Sequence, residues 1–195
     1  MISGIIMASG FSRRMEQEKL LLQLDGVPLV ERVIQRAKAS NLQEIILVYR
    51  SEAVGAIGYQ YNLKTIHNPD AHLGQSMSLK LGVKAANPKT QGYMFFVGDQ
   101  PFLKVDFINE LIEAYYQKKH AIILPRYKGQ QGNPTIFSSS LKDELLSLEG
   151  DEGGRKIIRA MEVKKIKYVD SQDQQMGQDV DTWEMYQQIL ASCKS

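Results

Sequence analysis

Apolar residues along this chain fall into two alternating rhythms, short continuous runs that read as buried strands and stretches with a period near 3.6 that read as helices. Ile2 to Ala8 is apolar almost throughout, as expected of a strand buried on both faces, and strands of the same kind are predicted at Glu44 to Tyr49 and at Tyr93 to Val97. Between the first two, Leu29, Val33, Ile34 and Ala37 form one stripe of a helix begun near Pro28, which completes a βαβ unit. Further along, the pattern predicts a short strand at Thr65 to Asn68 and a helix from Ser76 to Ala86 with Met77, Leu81 and Ala85 on one face. It then predicts a helix from Val105 to Tyr116, strands at Ala121 to Pro125 and Pro134 to Phe137, and helices at Leu141 to Leu148 and Arg155 to Met161. An edge strand at Lys165 to Val169 and a helix from Thr182 to Ser192 close the pattern. The alternation predicts an α/β fold with a mostly parallel sheet flanked by helices. With 195 residues and no internal repeat, low-complexity tract or Gly/Ser linker, a single domain over 1–195 is expected.

Composition narrows the function classes. A formal net charge of +2 argues against a dedicated nucleic-acid or membrane-surface protein. The one cysteine, Cys193, has no partner in the chain, so disulfides and a zinc site are not expected and a reducing, cytoplasmic setting is. No segment approaches the ~20 apolar residues of a membrane span, and no signal-peptide pattern is present.

Chemistry concentrates at two predicted strand ends. After Ile2 to Ala8 the chain breaks into Ser9-Gly10-Phe11-Ser12-Arg13-Arg14-Met15, with Lys19 following. Small residues bring main-chain N–H groups close to a ligand, Ser12 adds a hydroxyl, and Arg13, Arg14 and Lys19 exceed Glu16 and Glu18, a combination that suits a polyphosphate or else an ordinary strand-to-helix turn with solvated basic residues. Neither GxxxxGK[ST] nor GxGxxG occurs. The second strand end, Gly98-Asp99-Gln100-Pro101, sets a carboxylate where substrate phosphates would lie, suited either to Mg²⁺ or to capping the following helix. Asp179 and Asp181 share a face if extended, although Asp181 also reads as the N-cap of the last helix. Gly150 to Arg155 reads either as a flexible loop or as an arginine-bearing stretch facing an anionic acceptor. His67, His72 and His120 share no metal-ligand spacing and read as structural or surface residues, Trp183 reads as packing, and no covalent nucleophile is visible.

Taken in order, these motifs resemble the molybdenum cofactor cytidylyltransferases, within the MobA-like nucleotidyltransferases. The resemblance rests on Met7 to Met15 with Lys19, Leu21-Leu22, Gly26-Val27-Pro28-Leu29, Gly74 to Leu79 with Gly82, and Val97 to Pro101. It is completed by Gly132-Asn133-Pro134, Gly150-Asp151 with Gly153 and Arg155, and Asp179-Val180-Asp181-Thr182. It implies a Rossmann-like, nucleotide-diphospho-sugar transferase-like fold that moves a nucleoside monophosphate from an NTP to a phosphorylated acceptor and releases pyrophosphate. In the branch most resembled, the substrates are CTP and molybdopterin cofactor, and molybdenum hydroxylase apoenzymes are the implied partners.

Carried over by position, the resemblance implies that Ala8, Ser9, Gly10, Ser12, Arg13, Arg14 and Lys19 hold the triphosphate, and that Gly74, Ser76 and Ser78 face base and ribose. Asp99 and Asp181, the latter favoured over Asp179, hold Mg²⁺, while Asn133, Pro134, Gly153 and Arg155 lie on the acceptor side. Catalysis falls to Arg14, Lys19 and Asp99. The chain departs from the family pattern at Glu16, where glycine is usual, at Trp183, where proline is common, and at Met185, where an acidic residue is common. Transfer from GTP, transfer to a sugar or alditol phosphate, and a non-catalytic accessory protein that delivers cofactor to a hydroxylase are the alternatives.

Overall fold

The computed structural model describes residues 1–12, 15, 17–117, 119–151 and 153–193. Its main sheet contains, in chain order, β1 (Ile2–Ala8), β2 (Glu44–Tyr49), β3 (Lys64–His67), β4 (Gly92–Val97), β5 (Ile122–Tyr127), β6 (Thr135–Ser138) and β7 (Ile166–Ser171). In space the order is β7-β5-β6-β4-β1-β2-β3, with Gln130–Gln131 folded back on β5. Neighbouring strands on this path are parallel except at β6, which runs antiparallel to both β4 and β5. The sheet is therefore mixed and mostly parallel, and the predicted edge strand at Lys165 to Val169 is the edge strand β7.

The period of two along each strand splits the core into two layers. Ile2 and Ile6 of β1, with Met94 and Phe96 of β4, pack against α1 (Leu29–Ala39), α2 (Glu52–Gln60) and α4 (Val105–Tyr116). Ile5, Tyr93 and Phe95 point the other way, against α3 (Gln75–Ala85), α5 (Lys142–Ser147) and α6 (Arg155–Ala160). Ile2, Ile5 and Ile6 are all fully buried, which is why β1 carries no hydrophobic–polar alternation.

Helix α3 lies tight on β1. A Cβ on Gly82 would sit 3.1 Å from Ile5 Cδ1 and 3.2 Å from its Cγ1, and would overlap Cγ2. Gly82→Ala is expected to cost about 1–3 kcal/mol by overpacking, measured as a lower urea midpoint at unchanged slope.

A smaller cluster joins the two ends of the chain. Leu24 and Leu29 pack with Val180 and with Ile189 of α7 (Trp183–Cys193). Leu24 lies on a two-stranded hairpin, Gln23–Leu24 with Val27–Pro28, whose turn residues Asp25 and Gly26 have φ of 49° and 76° as a type I′ turn requires. Tyr186 OH donates to Gln23 O at 2.7 Å, pinning α7 to this hairpin. Among the described residues no helix is long and apolar enough to cross a membrane.

Candidate active site

From β1 the chain builds outward through β2 and β3 on one side and resumes at β4 on the other, so a crevice opens where the carboxyl ends of β1 and β4 meet. Gly98 N donates to Met7 O at 3.1 Å, which sets the loop after β1 beside Gly98-Asp99. Two clefts share this point. The larger, about 650 Å³, is lined by Ser9, Gly10, Phe11, Ser12, Lys19, Gly74, Ser78, Asp151 and Asp181 among others. The smaller, about 270 Å³, has apolar walls from Leu79, Phe95, Leu124 and Phe137, with Gln131, Asn133, Arg155 and Asp179 as its polar groups. Met7, Gln75, Val97 and Asp99 line both.

The loop after β1 is tied down by Ser12. Its φ of 50° turns the chain, its carbonyl accepts from Met15 N at 2.9 Å, and its Oγ accepts from Lys19 N at 3.0 Å. The Ser9 hydroxyl donates inward to Val48 O at 3.2 Å, so Ser9 offers the cleft main chain more than side chain. Arg13, Arg14 and Glu16 lie outside the described residues. Behind the loop, Arg50 donates to Glu18 Oε2 at 2.7 Å and stacks 4.8 Å from the Phe11 ring.

Lys19 is the centre of charge. Its ammonium donates to Asp99 Oδ2 at 2.5 Å and to Asp181 Oδ1 at 2.9 Å, bridging residues from opposite ends of the sequence. The Lys19 and Asp99 side chains are mostly buried, at 14% and 16% exposure, and Asp181 is more open at 46%. Burial opposes the charge on Lys19, yet the two carboxylates outweigh it and hold its pKa above the ordinary value.

Neither aspartate is a helix cap, although capping was one reading of each. The cap of α4 is Lys104, with no side-chain bond. In α7, Thr182 Oγ1 accepts from Met185 N at 3.2 Å, so threonine is the cap and Asp181 turns to the cleft. The strap carrying Asp181 is held by Val180 N donating to Asp99 O at 3.1 Å, and by Gln100 Nε2 donating to Asp179 Oδ1 at 2.7 Å and to Gly177 O at 3.2 Å. Trp183, read as packing, also donates from Nε1 to Met15 O at 3.1 Å and joins α7 to the loop after β1.

Burial, and then the charge of Asp99, push Asp179 up to about 6 from 3.8, against the pull of Gln100. The folded chain therefore binds this proton more tightly than the unfolded one, and stability falls as pH rises from 3.8 to about 6. Asp179→Asn is expected to raise stability at pH 7 by roughly 2 kcal/mol. The gain should vanish in melts below about pH 4.

The start of α3 is closed by a distant loop. Gln75 N donates to Asp151 Oδ1 and Ser76 N to Gly150 O, both at 3.1 Å. Gly74 has φ of 106°, and a Cβ there would meet the Gly150 carbonyl carbon at 2.5 Å, so only glycine allows this contact. Ser78 Oγ accepts from Asn68 Nδ2 at 3.1 Å while lining the larger cleft.

Of the residues singled out in the sequence, Ser9, Gly10, Ser12, Lys19, Gly74, Ser78, Asp99 and Asp181 meet at the larger cleft, and Asn133 and Arg155 at the smaller. Ala8, Ser76, Pro134 and Gly153 are buried and line neither. His72, expected to be structural or on the surface, stands on the lining of the larger cleft. Gln75, Gln100 and Asp151 lie within the motifs quoted from the sequence, which give none of them an individual role. Gln100 follows Asp99 directly, but its partner Asp179 lies 79 residues away and leaves no local signal.

A mostly parallel sheet whose switch point opens into two clefts sharing Asp99 is an α/β framework that can bring two ligands together at one carboxylate. The chain belongs to the MobA-like NTP transferase domain family, whose model matches residues 4–166. It is 29% identical over 196 residues to the purine catabolism protein PucB of Bacillus subtilis (strain 168), covering 95% of this chain and 94% of that protein. To the molybdenum cofactor cytidylyltransferase of Escherichia coli (strain K12) it is 34% identical over 142 residues, 70% of each chain. Rv0371c from Mycobacterium tuberculosis H37Rv superposes with a TM-score of 0.85 at 25% identity, over 98% of each chain.

Proposed function

We propose that the chain is a single-domain cytoplasmic enzyme that transfers CMP from CTP to the phosphate of molybdopterin-type molybdenum cofactor and releases pyrophosphate. One observation carries this reading: Asp99 stands on the wall common to a polar cleft of about 650 Å³ and a smaller, largely apolar one of about 270 Å³. The larger cleft suits a nucleoside triphosphate against the loop after β1. The smaller suits a flat heterocycle between Leu79, Phe95 and Phe137, with Gln131 and Asn133 for its polar edge and Arg155 for its phosphate. An acceptor oxygen coming from the smaller cleft attacks the α-phosphorus in line; the new P–O bond forms as the bond to the β-phosphate oxygen breaks. No covalent nucleophile is needed, and the residues act by positioning two polyanions and balancing their charge.

The donor set fits Mg²⁺. Asp99 and Asp181 converge on a single cationic point, now the Lys19 ammonium. Among the described residues no group of three or more His, Cys, Asp or Glu forms a ready cage. Two carboxylates completed by phosphates and waters are how Mg²⁺ is commonly held. When bound, it supplies Lewis acidity and charge neutralisation at the phosphates. Lys19 then balances the charge growing on pyrophosphate.

Similarity to the cytidylyltransferase supports CTP as donor, and similarity to PucB supports seeking the recipient among molybdenum hydroxylases of purine breakdown. The test is pyrophosphate release from purified protein with Mg²⁺ and molybdopterin cofactor, given CTP, GTP, ATP or UTP separately. Release with CTP alone is expected. Release with GTP alone would move the donor to guanosine, and no release with any nucleotide from folded protein would point to another acceptor or to a carrier.

A further inference from the structure

The two carboxylates assigned to Mg²⁺ already hold a cation of the chain's own, and the same lysine is assigned to the triphosphate. Lys19 cannot serve both at once. Its ammonium touches Asp99 and Asp181 within hydrogen-bond distance, so a divalent cation on the same oxygens would face a like charge at contact range. Nor can the ammonium simply leave: Asp99 is mostly buried, and it and Asp181 would face one another uncompensated.

We infer that Lys19 is an exchangeable counter-cation, holding the Asp99–Asp181 pair until a nucleotide draws its ammonium to the phosphates and a divalent cation takes its place. The inference rests on the proposed roles of Asp99, Asp181 and Lys19. It adds an order to them, with metal and triphosphate binding as a pair and neither tightly alone. The geometry supports a short exchange path. Lys19, Asp99 and Asp181 all line the larger cleft, and the Lys19 main chain stays anchored through its N–H to Ser12 Oγ at 3.0 Å, so only side-chain torsions need change. Exchange leaves the carboxylates with a counter-cation at every stage, whereas loss of Lys19 ahead of the metal would not. Because coupling between two ligands is reciprocal, a metal that needs nucleotide to displace Lys19 must strengthen nucleotide binding by the same factor.

The test is Mn²⁺ binding, followed by electron paramagnetic resonance on nucleotide-free protein. Wild type, Lys19→Gln, Lys19→Met, Asp99→Asn and Asp181→Asn are compared, each with its thermal melt. Wild type is expected to bind Mn²⁺ weakly, and both Lys19 variants about tenfold or more tightly. In a parallel titration without acceptor, Mn²⁺ is expected to tighten CTP binding in wild type, and by a smaller factor in Lys19→Gln, where only the direct metal–phosphate contact remains. Equal Mn²⁺ affinity in wild type and both folded Lys19 variants, or no binding in any of them, would overturn the exchange. Loss of the Lys19→Gln binding in a double variant with Asp99→Asn or Asp181→Asn would tie the metal to the aspartate pair. Tight binding that survives both aspartate changes would instead sink the assignment of the pair to the metal, and the exchange with it.

Discussion

Asp99→Asn is expected to lower pyrophosphate release by about 10²–10³ while the protein stays folded. The residue sits on the wall common to both clefts, so in the proposed reaction it faces nucleotide and acceptor together, and it makes the shorter of the two carboxylate contacts to Lys19, at 2.5 Å against 2.9 Å. An amide keeps its size but loses the charge. The variant also reports on its neighbours: without the Asp99 charge, Asp179 should titrate closer to its ordinary range, visible by NMR of the side-chain carboxyl. A variant that keeps wild-type turnover would remove Asp99 from the reaction.

Lys19→Ala is expected to cost a similar factor, about 10²–10³ in kcat, because in the proposed reaction it withdraws the cation that balances the leaving pyrophosphate. Its effect on stability should be smaller. Asp181 is nearly half exposed and recovers water, leaving Asp99 as the carboxylate that suffers most from losing its partner. Activity and urea unfolding must be measured on the same preparation. Loss of activity with a matching loss of fold would make Lys19 structural.

The local signals of this fold were readable where one face or one strand decides the outcome. β1 and β2 match the predicted runs because burial, nearly continuous along β1 and complete over Ile46 to Tyr49 of β2, leaves no ambiguity of face. Helix α2, over Glu52–Gln60, has no counterpart in that reading, since Gly55 and Gly58 break its propensity. Both glycines have a packing reason that is invisible locally. A Cβ at 55 would meet the Tyr49 ring at 2.5 Å, and one at 58 would meet Leu47 Cδ2 at 2.6 Å. The reversal of β6 was likewise hidden, because strand direction depends on partners far along the chain. At the site, the motifs named Lys19, Asp99 and Asp181, but not that one ammonium bridges the two carboxylates. They also proposed Ser76 as a ligand contact, whereas its N–H is taken by Gly150 and its side chain is buried. Whether a polar group faces a ligand or closes a loop is decided by distant partners.

The lysine and its second carboxylate are separated by 162 residues, and Trp183 reaches back to Met15. During synthesis, the loop after β1 leaves the ribosome well before the strap of Val180 and Asp181. For the second half of that interval Lys19 and Asp99 stand without Asp181, and the larger cleft lacks one wall. A growing chain therefore carries Lys19 and Asp99 before the strap that completes the larger cleft has been made.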